Sequence, residues 1–377
     1  MLKHNQYTIP LKTGNLELVV EPSIYSLGGL LDFASRENPH RAYLFLSKVL
    51  GKYIPCLPSE MRKSFQDLSR KIKVNGDTLV LGVAETATGL GAGVAEEINK
   101  ECGFSVYYSQ TTRFEFNKPL AFSINEEHSH APKHLIYDLS DNIDLNSVAE
   151  VVLVDDEIST GKTLSQITKG IREYLPNLKV VHWTSLVNWI SESECSAFKE
   201  EHIDIELHYH SLLRGGFSFK KTSDKVIEFP VSTAAGLSTA VCRHDTGRTG
   251  INVGDLKRFT FVDENKDQVN ALSLQKEDQY VIVGTGEFTY PPYLFAEALE
   301  NSGYDVVFES TGRSPILPGG GISSKLKFYD EANQANYYLY NLPENRKPIV
   351  MYETFEQFSA CPLHKLLNCK AAILGDE

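Results

Sequence analysis

Apolar and polar residues change rhythm along the chain, and those changes sort it into elements. Tyr7–Pro22 reads as two short strands around Lys12-Thr13-Gly14-Asn15, because Gly and Asn tolerate the positive φ of a tight hairpin turn. Residues 26–37 and 40–51 carry apolar side chains at three- and four-residue spacing, with Pro39 between them, which predicts two helices. A third is predicted over 59–72, with Ser59 as its cap after Pro58. After Gly76 strand and helix alternate: a strand at Thr78–Val83, a glycine-rich loop, a helix near 92–101 and a strand at Phe104–Tyr108. Later come the apolar strand Glu150–Val154, a helix over 162–174 and the strand Val180–Leu186. Such alternation predicts a parallel sheet flanked by helices, with ligands at the carboxyl ends of the strands, so attention falls on the loops after Val83 and Val154. Between about 211 and 230 periodicity is lost and Gly, Lys and Ser gather. A boundary there gives a first domain over 1–220 and a second over 231–377.

Length and composition narrow the function classes. A chain of 377 residues fits two domains at about 150 residues each. Hydrophobic residues at 42% and charged residues at 23% exclude a largely disordered, collagen-like or coiled-coil chain. Lys+Arg at 37 against Asp+Glu at 49 leaves a net charge of −12, which argues against nucleic acid or anionic membrane as a whole-surface partner. MLKHNQYTIP lacks the pattern of a secretory signal and no apolar run has the length of a membrane span, so a soluble, cytoplasmic protein is expected. The six cysteines are scattered without a CxxC pair, so neither a disulfide framework nor a thiolate zinc site is indicated.

The most informative segment runs from Val151 to Thr163. Four apolar residues bury a strand, and the adjacent carboxylates of Asp155 and Asp156 at its end can accept hydrogen bonds from a vicinal diol. Ile158, Ser159, Thr160, Gly161, Lys162 and Thr163 then open a helix with small and hydroxyl side chains, where backbone N–H groups and the helix dipole favour a phosphate. A Walker A loop is excluded, because the position that would need glycine holds Asp156. The run resembles the phosphoribosyl pyrophosphate loop of type I phosphoribosyltransferases, hydrophobic–Asp-Asp–x-x-x-Thr-Gly-x-Thr. A second loop suits the pyrophosphate that the resemblance requires: Glu85, Thr86, Ala87, Thr88 and Gly89 follow the strand at 78–83, and Arg113 can offset charge as it develops.

The resemblance implies a type I phosphoribosyltransferase fold with a hood, and a transfer of phosphoribosyl to a nitrogen of a base-like acceptor. Asp155, Asp156, Glu157 and Arg113 are its expected catalytic residues. Mg²⁺ is expected to arrive with the substrate rather than in a protein-held metal site, and a homodimer is one assembly to expect. The interval before Val151 has little periodicity and matches the family's hood. It carries Glu126-Glu127-His128-Ser129-His130 and His134, for which a metal site, a polar structural role and an acceptor contact remain alternatives. Purine-salvage members carry an aspartate where this chain has Ser159, which disfavours hypoxanthine salvage and leaves Glu157 or a hood histidine as the base. A non-catalytic sensor of phosphoribosyl pyrophosphate is the alternative from another class; the net charge weighs against its nucleic-acid-binding forms.

The run from Phe33 to Lys52 and the carboxy-terminal Ser310-Thr311-Gly312-Arg313-Ser314-Pro315 resemble a narrower subgroup. It is the phosphoribosyltransferase-like family of bacterial tellurium-resistance and stress gene clusters, whose second domain is named for a Thr-Arg-Ser-Pro motif. Here a glycine separates the threonine from the arginine. Arg36, Arg41 and Lys48 read either as helix-surface charges or as neighbours of a polyanion. The second half also repeats the first: Gly82 matches Gly284 and Arg113 matches Arg313, while 151–156 falls near 348–353. The second α/β domain then reads as a degenerate duplicate, with Gly284, Thr285, Gly286, Arg313 and Ser314 as candidates for a second ligand, beside a mixed basic loop at 243–248.

Overall fold

The computed structural model describes residues 5–38, 41–125, 133–221, 243, 246–256, 259–270 and 273–375. Its first sheet has eight strands. Five run parallel in the spatial order Glu206–Lys221, Val180–Asn188, Glu150–Ile158, Thr78–Gly82, Val106–Gln110. The hairpin Asn5–Leu11/Gly14–Val20 closes one edge antiparallel, and Ile251–Asn252 closes the other. Thr78–Gly82 and the first five residues of Glu150–Ile158 are buried throughout, as strands covered on both faces must be.

The second sheet repeats this plan. Its parallel strands lie in the order Lys370–Leu374, Lys347–Tyr352, Gln279–Gly284, Asp305–Ser310. In each half the first strand leads into a helix, Thr88–Glu101 or Tyr290–Asn301. In each half the second strand is followed by an inserted hairpin, Leu120–Asn125/Lys133–Tyr137 or Lys325–Asp330/Ala335–Tyr340. The two helices pack against each other and against Pro58–Ser69. The Thr88 and Thr289 hydroxyls meet at 2.8 Å. Arg62 ties the same seam, reaching Glu96 at 2.8 Å, Glu97 at 2.9 Å and Glu297 through two bonds of 2.6 and 2.7 Å. One apolar core runs through the seam, from Val80 and Val152 to Ile282 and Met351.

Three expectations are corrected. The helices predicted over 26–37 and 40–51 are a short helix, Leu27–Leu30, followed by an antiparallel hairpin, Leu31–Ser35/Tyr43–Ser47. Its side chains find partners across the strands, Phe33 against Phe45 and Phe45 against Trp189, so tertiary packing sets the local geometry. The interval before Val151 is not without pattern, because it contains the paired strands Leu120–Asn125 and Lys133–Tyr137. Residues 211–221, read as losing periodicity, instead extend a sixteen-residue strand whose two ends pair with different neighbours. The rest of that stretch, 222–230, lies outside the described residues. The helix at 162–174 is found as expected, and the one expected near 92–101 begins at Thr88.

Candidate active site

Strand Glu150–Ile158 outruns its neighbour Thr78–Gly82, which stops opposite Val154. Asp155, Asp156 and Glu157 therefore emerge half-buried at the carboxyl edge of the sheet, where a cavity of about 180 Å³ opens. Gly161 then turns the chain into helix Lys162–Tyr174 with a φ of 72°. A Cβ there would sit 2.7 Å from the Phe198 ring, so both conformation and space call for glycine. Ile158, Ser159, Thr160, Gly161 and Thr163 line the cavity, at the positive end of that helix.

The second wall is the turn after Gly82. The Val83 amide donates to Val154 O at 2.9 Å, and the Ala84 amide to Thr111 Oγ1 at 2.8 Å. Thr111 Oγ1 also pairs with His134 Nδ1 at 3.0 Å, which backs the turn from behind. Glu85 and Thr86 face the cavity, and so does Arg113. Arg113 donates to Ala84 O at 3.2 Å and Lys133 O at 3.3 Å, and so braces the same turn.

The third wall joins the two halves. Arg36, Arg41, Leu44 and Tyr53 come from the amino-terminal hairpin and its extension, and Arg313 and Ser314 come from the second domain. Backbone bonds seam the two segments together: Glu37 N to Pro315 O at 2.9 Å, Leu317 N to Ser35 O at 2.9 Å and Gly321 N to Phe33 O at 3.0 Å. Arg41 pairs with Glu157, which links this wall to the acidic loop. Buried Lys52 donates to Glu85 Oε1 at 3.3 Å, Gly286 O at 3.0 Å and Thr311 O at 2.7 Å, tying three loops to one ammonium group.

Burial pushes Asp156 up to about 7, and the charge of Glu157 adds to the rise. Glu85 shows the opposite balance. Burial raises it, but Lys52 and Arg313 beside it, with Arg113 behind them, hold it below the ordinary carboxylate value. Lys52 is itself pulled down by burial.

Of the residues expected from sequence, Asp155, Asp156, Glu157, Arg113, Glu85, Thr86 and the run from Ile158 to Gly161 with Thr163 meet in one cavity. Lys162 is exposed and outside its lining, and Ala87, Thr88 and Gly89 are buried behind it at the seam. The second-domain candidates separate. Arg313 and Ser314 join the first-domain cavity, whereas Gly284, Thr285 and Gly286 do not: Thr285 Oγ1 donates to Met351 O at 3.0 Å, and the Gly286 amide to Thr311 Oγ1 at 2.9 Å. Lys48 sits outside the cavity lining, its ammonium on Gly28 O at 2.9 Å. His128 and His130 lie outside the described residues. Among the described residues no cluster of three or more His, Cys, Asp or Glu is arranged to hold a metal ion. Sequence reasoning missed Tyr53 and Leu44, and no local signal marks either.

An acidic strand end, a helix amino terminus and a second polar turn thus surround one cavity at the carboxyl edge of the sheet, where open α/β sheets bind their ligands. The family model for phosphoribosyl transferase matches residues 30–216, and the model for the TRSP domain, carboxy-terminal to that transferase domain, matches residues 245–367. The chain belongs to this two-part phosphoribosyl transferase family. Solved structures similar to it include an adenine phosphoribosyl transferase from Trypanosoma brucei, 17% identical over 56% of this chain and 86% of that one, with a TM-score of 0.32. Another is the Saccharomyces cerevisiae adenine phosphoribosyltransferase, 16% identical over 41% and 78%, with a TM-score of 0.26. A third is a hypoxanthine-guanine phosphoribosyltransferase from Bacillus anthracis, 11% identical over 40% and 77%, with a TM-score of 0.25. No curated protein matches the chain.

Proposed function

We propose that this cavity binds phosphoribosyl pyrophosphate and transfers its phosphoribosyl group to a nitrogen of a base-like acceptor, in a pathway that makes or salvages a nucleoside-like metabolite under stress. The observation that carries the reading is the convergence of Asp155-Asp156, the Ser159–Thr163 turn and the Glu85–Thr86 turn on one cavity. Asp155 and Asp156 accept from the ribose hydroxyls, and the 158–163 turn holds the 5′-phosphate at the helix amino terminus. The Glu85–Thr86 turn, braced by Arg113, borders the pyrophosphate. In the reaction the C1–O bond to pyrophosphate breaks and its electron pair leaves with that group. A C1–N bond forms, and the acceptor nitrogen releases its proton to solvent. Holding donor and acceptor in line and fixing charge around the leaving group supply the rate enhancement.

Mg²⁺ carried in by the substrate fits such a site. Two adjacent carboxylates, one of them pushed up to about 7, gain from a nearby divalent charge, yet no protein cluster encloses one among the described residues. Bound with the donor, it would neutralise pyrophosphate charge beside Asp155 and Asp156.

The test is a melting curve with and without phosphoribosyl pyrophosphate and Mg²⁺, for the parent and for Asp155→Asn/Asp156→Asn. Ligand at a hundredfold excess over its dissociation constant adds about 2.7 kcal/mol. A gain in the parent that the double variant loses supports the assignment. A folded parent that gains nothing overturns it. Pyrophosphate release during turnover then separates a transferase from a sensor.

A further inference from the structure

The second domain puts two unused donors into the transferase cavity. The Arg313 side chain is 8% exposed, and its Nε and Nη2 make no hydrogen bond; Nε lies 3.5 Å from Glu85 Oε2 as an ion pair only. Ser314 is 9% exposed, and its hydroxyl makes none either. Both line the cavity. Buried donors left unbonded cost about 1–3 kcal/mol each, so two adjacent residues that carry such donors and line one cavity call for an acceptor from outside the chain.

The surroundings hold Arg313 without using its N–H groups. Its guanidinium lies over Phe114 at 5.0 Å and Tyr337 at 5.7 Å, contacts that hold the group without engaging its N–H donors. Glu85 takes only the Nε corner of the guanidinium, its Oε2 standing 3.5 Å away, while Lys52 donates to its Oε1 and commits two further N–H groups to Gly286 O and Thr311 O; Arg313 Nη2 is left unbonded. The glycine inside Thr311-Gly312-Arg313 permits this closeness, since a Cβ on Gly312 would stand 3.2 Å from Lys52 Cε and 3.4 Å from the Tyr53 ring. Arg113, two hundred positions earlier at the matching strand end, bonds instead to the backbone of the turn it braces. The equivalent arginines differ: one braces a wall through backbone bonds, and the other lines the cavity with N–H groups unbonded.

We propose that Arg313 and Ser314 form an oxyanion subsite that the second domain contributes to the transferase cavity. The group it takes is either the pyrophosphate of the donor or a carboxylate on the acceptor; a planar forked cation with a hydroxyl beside it suits both. The inference rests on the donor reading above.

Calorimetric titration of the whole chain tests it with three probes: Mg²⁺-pyrophosphate, uridine 5′-monophosphate and orotidine 5′-monophosphate. The two nucleotides share the ribose phosphate and differ by one base carboxylate. Arg313→Gln and Ser314→Ala are expected to leave uridine 5′-monophosphate binding unchanged, which also shows that the variants fold. If pyrophosphate is the occupant, its affinity falls at least tenfold in Arg313→Gln. If a base carboxylate is, the parent prefers orotidine 5′-monophosphate at least tenfold and the variant loses the preference. Arg313→Gln matching the parent on all three probes overturns the subsite and leaves the donor reading intact. A parent that binds none of the probes, or Asp155→Asn/Asp156→Asn binding uridine 5′-monophosphate like the parent, overturns the donor reading and the subsite with it.

Discussion

The two halves share a strand order and a matching glutamate after the first strand, yet their carboxyl edges have opposite fates. In the first half the strand ends in Asp155-Asp156-Glu157 and a glycine turn, and the edge opens into about 180 Å³. In the second the equivalent strand ends at Tyr352-Glu353, and only about 20 Å³ remains. The chain itself fills that place. Arg248, buried from solvent, donates to Glu353 and, at 3.3 Å, to Glu287, while Thr246 Oγ1 reaches Glu353 at 2.8 Å. Glu287 also accepts from the Arg113 amide at 2.7 Å, and Glu85 is paired across the seam in turn. Both halves therefore carry an acidic turn after the first strand, and the second half's polar edge forms the joint that holds the first half's walls.

The joint can be broken most severely at Arg248. Arg248→Ala leaves Glu287 and Glu353 buried beside each other without their cation, and about 3–5 kcal/mol of stability is expected to go, read from denaturant unfolding. Gly161→Val strikes the open copy instead. Its positive φ and the nearby Phe198 ring predict a loss of about 2–3 kcal/mol, together with the stabilisation by phosphoribosyl pyrophosphate, in the same melting assay.

pH sharpens the contrast further. Asp156 is raised in the folded chain, so between its unfolded value near 4 and about 7 the folded state holds a proton that the unfolded state has released. Stability from this group is greatest below that window and is lost as pH rises through it. Binding runs the other way: Mg²⁺-phosphoribosyl pyrophosphate needs the ionised form, so its affinity should rise by up to tenfold per pH unit toward 7, and Asp156→Asn should flatten the titration. The smallest effect belongs to Ser314→Ala. Removing an unbonded buried hydroxyl also removes its desolvation cost, so the unfolding free energy should not fall, and any loss of anion binding would not reflect unfolding.

How much was legible follows the range of the interactions. The strand–turn–helix at 150–174 could be read because its apolar run, carboxylates, glycine and helix are consecutive, and each has a local physical reason. The repeat was readable for the same reason, since glycine and arginine recur at matching offsets. The hairpin at 31–47 was misread because its apolar spacing fits either period, and its strand geometry is set by Trp189 and by the 315–321 segment. Arg313 stood out as a candidate, but for a second site; its place beside Glu85 depends on the seam between helices 88–101 and 290–301, which no local pattern encodes. The filling of the second edge by Arg248 was invisible for the same reason.

The wall built from residues 31–53 and 311–321 also bears on synthesis. Its bonds span most of the chain: Lys52 to Thr311 across 259 positions, Lys325 to Glu37 across 288 and Asn341 to Tyr53 across 288. Contacts of that separation close late, because the loop entropy must be met before they form. On a ribosome seven of the eight strands of the first sheet can pair once residue 221 has emerged, but the cavity lacks a side until the segment carrying Arg313 and Ser314 follows. The full enclosure then forms only once the segment carrying Arg313 and Ser314 has docked, so a chain cut before residue 311 keeps most of the first sheet but lacks one wall of the cavity.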